Sequence, residues 1–196
     1  MTNDKMKPNQ RLIVAISGAS GAIYGIRALE MLKAAGIETH LVVSKAAALS
    51  LEAETDLSLA DVQALANVVY KPADIGAAIA SGSFRTLGML IAPCSVKTLG
   101  EITTGVTSSL VSRAADVCLK ERRRLVLMVR ESPLHLGHLR SMAAVTEMGA
   151  IVAPPMPAFY TKPQSLDEMV RQSVARTLAL FDIDAPMTRW GEDISL

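Results

Sequence analysis

A chain of 196 residues that is 50% hydrophobic has the length and apolar content for one full core. Its formal net charge of +1 and its 4% aromatic residues exclude the basic surface and the stacking platforms that nucleic-acid binding requires. No apolar leader opens it, no apolar run approaches the roughly 18 residues of a membrane span, and Cys94 and Cys118 form no C-x-x-C pair, so a soluble, cytoplasmic protein is expected.

Residues 1–10 (MTNDKMKPNQ) are polar and are expected to be extended or disordered, ahead of a domain over 11–185 and a tail over 186–196. Runs rich in Val, Ile and Leu then recur at 11–16 (RLIVAI), 38–43 (ETHLVV), 88–92 (GMLIA), 124–129 (RLVLMV) and 150–154 (AIVAP), with helix-like sequence between them. That alternation predicts an α/β protein with a parallel sheet covered on both faces. Between the first two runs, Leu29 and Leu32 belong to an apolar stripe over 22–35 that Gly36 stops. Ser58-x-x-Asp61 and Ser165-x-x-Glu168 read as capping boxes, and the Gly-, Ser- and Pro-rich stretches 71–87 and 154–163 read as loops.

In an open parallel sheet, ligands bind beyond the carboxyl ends of the strands. The polar groups expected there are Ser17 to Ser20, Ser44-Lys45, Cys94 through Thr98, Arg130-Glu131-Ser132, and Phe159-Tyr160. The first of these sits in ISGASGA (16–22), a glycine-rich link from strand to helix, a favoured place for phosphate. It departs from G-x-G-x-x-G, and Ser44-Lys45 stand where a dinucleotide fold places an acid, which disfavours NAD; no P-loop occurs either. Hydroxyls and backbone N–H groups at helix starts suit a mononucleotide such as FMN, the alternative being that Gly18 and Gly21 only permit a tight turn.

Arg113 and Lys120 lie seven residues apart, on one face of a helix, and form either a cationic clamp or a solvated face. Glu131 is either a general acid or an ion-pair partner that orients Arg130. Glu54, an acid among apolar neighbours, is surface-exposed by default. His135-x-x-His138 has no further ligand at zinc spacing, so no metal is expected, and Cys94 reads as a small buried residue rather than a nucleophile.

ISGASGAIYG, HLVVSKAA, ETD, ASGSF, APCSVKTL, RAADVCLKERR, VRESPLHLGHLR, PPMPAFYTKPQSLDE and the terminal RWG, in that order over about residues 11 to 191, together resemble the UbiX-type flavin prenyltransferases. The resemblance implies a flavodoxin-like (Rossmann-like) three-layer sandwich, a homododecamer, reduced FMN as acceptor and dimethylallyl monophosphate as donor. It further implies that the prenyl group joins N5 and C6 of the flavin, and that the prenylated FMN serves a UbiD-type decarboxylase, with ubiquinone biosynthesis as the setting. On this basis Gly18, Ala19, Ser20, Ser44, Ser95, Val96, Lys97, Thr98 and Arg130 are expected to contact FMN. Tyr160, Arg176, Arg113 and Lys120 are expected at the donor, the last two reaching a neighbouring subunit's pocket. Ser20, Glu54, Glu131 and Lys120 are expected near the reacting centre. Some family members carry a Trp before the ASGS segment where this chain has Ile75, which leaves Tyr160 as the aromatic wall. The rival readings are an FMN-dependent aromatic acid decarboxylase and a flavin-carrier subunit.

Overall fold

Successive residues of a strand point to opposite faces, and in this chain both faces are buried. In β1 (Arg11–Ile16), Leu12, Val14 and Ile16 enter one apolar cluster while Ile13 and Ala15 enter another. Burial on both sides is why the strand reads as a continuous apolar run rather than an alternation. The computed structural model describes residues 10–194, so the expected N-terminal extension falls, Gln10 apart, outside the described residues.

In chain order, β1 is followed by α1 (Ala22–Ala34), β2 (Glu38–Val43), α2 (Lys45–Glu54), α3 (Leu59–Gln63), β3 (Val68–Tyr70) and β4 (Gly88–Cys94). Then come α4 (Val96–Thr104), α5 (Leu110–Lys120), β5 (Arg124–Val129), α6 (Leu136–Glu147), β6 (Ile151–Val152) and α7 (Leu166–Leu178). The strands form one six-stranded sheet in the order β3-β2-β1-β4-β5-β6, every pair parallel. Without the short edge strand β3 the order is the flavodoxin arrangement 2-1-3-4-5. Residues of α1, α2, α3 and α7 fill the cluster on one face; residues of α4, α5 and α6 fill the other.

The expected strands are all present, with three differences. β4 continues through Pro93 to Cys94, the last strand shrinks to Ile151–Val152, and β3 was not anticipated. Helix punctuation follows the sequence. Gly36 adopts φ 70° and α1 closes with Ile37 N–H donating to Leu32 C=O at 3.0 Å. The box at Ser58 is reciprocal with Asp61. At Ser165 only half forms, because Ser165 accepts from Glu168 N–H while the Glu168 carboxylate accepts from Gln164 N–H. Among the described residues no helix is long and apolar enough to cross a membrane.

Candidate active site

The chain leaves β1 toward β2 and returns on its other side as β4, and a crevice opens where that direction changes. Ser17, buried at this point, ties the two strand ends together. Its N–H and Oγ both donate to Pro93 C=O, at 3.2 and 2.9 Å, and its Oγ accepts from Ser95 N–H at 2.8 Å. Ser95 in turn caps α4, its Oγ accepting from Thr98 N–H at 3.3 Å and donating to Thr98 Oγ1 at 3.1 Å. Ser44 caps α2 by accepting from Ala47 N–H at 3.1 Å. A Cβ on Gly18 would fall 2.4 Å from Ala46 Cβ, so glycine is what lets the first loop lie against the first turn of α2.

These pieces enclose a cavity of about 410 Å³. Gly18, Ser44, Lys45, Ser95, Lys97 and Thr98 line it, facing Pro72, Ala73, Ser108 and Ser109. The first N–H groups of α2 and α4 have no partner within their own helices, and the helix dipole adds partial positive charge there. Two lysines and two hydroxyl-capped helix starts make this wall suited to a phosphate.

The start of α1 is different. Gly21 and Ala22 N–H both donate to Oε2 of Glu54, the last residue of α2, at 2.8 and 3.0 Å. Burial works to raise the Glu54 pKa, but hydrogen bonding from Gly21, Ser20 and Ala22 and the charge of Arg130 outweigh it. The carboxyl is held below its ordinary range. Glu54 is thus exposed yet engaged, and the anion position behind the glycine-rich loop is filled by the chain's own carboxylate. The loop contributes to the cavity through Gly18 instead, and Ala19 N–H turns back onto Ser17 C=O at 2.8 Å.

Arg130 follows β5, its N–H donating to Cys94 C=O at 3.1 Å, and its exposed guanidinium has no ion-pair partner among the described residues. Glu131 does not orient it; Glu131 Oε1 accepts from Ser132 N–H at 2.9 Å. A second cavity of about 300 Å³ brings Tyr160 and Arg176 together with Pro154, Pro155 and Met156, and Trp190 meets Tyr160 edge-on at 5.3 Å between centroids. It shares no lining residue with the first. Arg113 and Lys120, both on α5, border neither cavity; they pair with Asp116 at 2.8 Å and Glu121 at 2.6 Å. Ile75, ahead of the ASGS segment, is 64% exposed.

Burial pushes the Cys94 thiol up to about 12, which fits an inert core residue. The His135 and His138 ring centroids lie 3.6 Å apart with their planes tilted by 30°, and no group of three potential metal ligands gathers among the described residues. Sequence reasoning missed Glu101, which also lines the first cavity; Lys97-x-x-x-Glu101 reads as an ordinary surface pair on a helix, and nothing local reveals the cavity beside it.

The chain matches the Flavoprotein family over residues 1–177. It is 58% identical over 185 residues to the flavin prenyltransferase UbiX of Escherichia coli strain K12, an alignment covering 92% of this chain and 98% of the relative. With the same-named enzyme of Thauera aromatica it shares 55% over 181 residues, 92% and 93% of the two chains. The chain belongs to the UbiX-type flavin prenyltransferases. Among solved UbiX-type structures, AnUbiX (PadA1) in complex with FMN and dimethylallyl pyrophosphate matches with a TM-score of 0.92 and 49% identity, covering 93% of this chain and 98% of that one. The dodecameric FMN-dependent UbiX-like decarboxylase from Escherichia coli O157:H7 matches with a TM-score of 0.90 and 49% identity, covering 92% and 98%. The flavodoxin-like architecture is thus that of the UbiX-type enzymes.

Proposed function

We propose that this chain transfers the dimethylallyl group of dimethylallyl monophosphate to N5 and C6 of reduced FMN, making prenylated FMN for a UbiD-type decarboxylase in ubiquinone biosynthesis. The observation that carries this reading is the division of one crevice. Its α2 and α4 starts form a phosphate seat, while the other end of α2 carries Glu54, a carboxylate kept ionised by Ser20 and two amides under the charge of Arg130. The complex of AnUbiX with FMN and dimethylallyl pyrophosphate supports the pairing of a flavin with a dimethylallyl donor.

Gly18, Ala19, Ser44, Ser95, Val96, Lys97 and Thr98 hold the flavin nucleotide, and Arg130 faces its ring. The bound reduced flavin supplies the electron-rich atoms that take the allylic group. What the protein must add is position and charge. A phosphate leaving an allylic carbon gains negative charge, and Arg130, Arg176, Arg113 and Lys120 neutralise it, while Tyr160 walls the allylic cation. In one protomer the Tyr160–Arg176 cavity is separate from the flavin cavity, and Arg113 and Lys120 border neither. The complete site therefore draws them from neighbouring subunits of a homododecamer, a reading supported by the dodecameric relative. Bonding at N5 breaks the allylic C–O bond and frees the N5 proton, which Glu131 relays to the departing phosphate; bonding at C6 frees a second proton, which Ser20 passes to Glu54 and which balances the one the middle carbon of the allyl group takes up as the ring closes.

The test is the mass of the flavin extracted after anaerobic incubation with reduced FMN and dimethylallyl monophosphate. A gain of one five-carbon unit is expected; an unchanged flavin in an FMN-loaded preparation overturns the reading. The decarboxylase name of the Escherichia coli O157:H7 neighbour favours a second reading, FMN-dependent decarboxylation of an aromatic acid. CO2 release from such an acid with no prenyl donor and no second protein would establish it.

A further inference from the structure

If FMN is a substrate whose product must leave for another enzyme, its phosphate seat has to release as well as bind. A seat built only for affinity would carry no negative charge of its own. This one carries Glu101. It lies one helical turn beyond Lys97 on α4, with its side chain only 14% exposed, on the same cavity wall as Ser95, Lys97 and Thr98. Its Oε1 accepts from Lys97 Nζ at 2.6 Å and from Ser108 Oγ at 2.6 Å, which fixes the carboxylate in place. Burial works to raise its pKa, but hydrogen bonds from Lys97, Ser108 and Ser112 outweigh that and hold it below the ordinary carboxylate range, so it is charged at neutral pH.

Side chains on a helix lean toward its N-terminus, so the carboxylate leans back toward the capped start of α4, the end suited to a phosphate. There it acts twice. Its charge opposes the phosphate dianion directly, and its ion pair withholds Lys97 from that dianion. Neither effect favours binding. We propose that Glu101 tunes release: it loosens the grip of the α4 cradle on the flavin phosphate so that the prenylated product dissociates. This inference rests on the FMN reading above and deepens it.

The experiment titrates the full-length protein and its Glu101→Gln variant with FMN and with riboflavin, which carries the same ring and polyol but no phosphate, following the quenching of flavin fluorescence. Glu101→Gln keeps the shape and one oxygen to accept from Lys97 and Ser108, and removes the charge. It is expected to bind FMN about tenfold more tightly, equivalent to about 1.4 kcal/mol, with riboflavin changed by less than about twofold. Lys97→Met is expected to cost more FMN affinity in the Glu101→Gln background than in the wild type, because only there is the lysine free. After one round of turnover and gel filtration, prenylated flavin should remain on the variant and leave the wild type. Unchanged or weaker FMN binding, or an equal shift for both flavins, overturns the inference alone. A wild-type protein that quenches neither flavin overturns the site reading and this inference with it.

Discussion

Two helices, α1 and α4, start at the same edge of the sheet after the neighbouring strands β1 and β4, yet their exposed N–H groups face different partners. Those of α1 donate to Glu54, while α4 is capped by Ser95 and opens onto a cavity with Lys97 and Lys45 on its wall. A helix start attracts anions wherever it occurs. Which anion it takes depends on whether the chain has already placed a carboxylate there. In this protein the glycine-rich loop, the more conspicuous phosphate signal in the sequence, leads to the filled site, and the plainer S-V-K-T leads to the open one.

The contrast can be tested from both sides, and the largest expected effect comes from the filled one. Glu54→Gln keeps an oxygen for Gly21 and Ala22 but loses the base, so turnover should fall by about 100-fold or more while the FMN dissociation constant stays within about threefold. A parallel loss in binding would show that Glu54 belongs to the nucleotide seat after all. Gly18→Ala forces the first loop off Ala46, and a displacement on the ångström scale should cost about 100-fold in turnover, read from the mass of the extracted flavin, with weaker FMN binding and a lowered melting temperature. Ser95→Ala removes the α4 cap, costing about 1 kcal/mol of stability and weakening FMN about tenfold with riboflavin little affected. Equal weakening of both flavins would move the phosphate away from α4. The smallest effect is one of pH. Because the folded pKa of Glu54 is depressed, its contribution is fully present above the ordinary carboxylate pKa and is lost as pH falls through the folded value. The amide proton shifts of Gly21 and Ala22 should titrate together in that acidic range, and Glu54→Gln should abolish the titration.

The parts of the molecule that could be read from sequence are those set by local rules. β1, β2, β4 and β5 are buried on both faces and so appear as apolar runs, and Ser44 and Ser95 announce helix starts by following strands directly. β3 escaped because it is three residues long, at the sheet edge and half-exposed, leaving no run to detect. Arg130 and Glu131 suggested a pair because they are adjacent, but the Glu131 carboxylate turns to the N–H of Ser132, and no pair forms between them. The Glu54 contact with Gly21 spans 33 positions, and Tyr160, Arg176 and Trp190 gather from three segments. Such meetings are made by the fold, and no spacing in the sequence encodes them.

Helix α2 has one further property that follows from its two ends. Ser44 caps it beside the cavity that Lys45 and Lys97 line and Glu54 ends it at the start of α1, so a stiff rod of 10 residues, about 15 Å at 1.5 Å per residue, works as a measuring stick between that cavity and the first turn of α1. Removing a single residue from its middle would shorten the stick by only about 1.5 Å but swing its far tip through about 100°. The gauge is therefore far less tolerant of changes in length than of changes in composition.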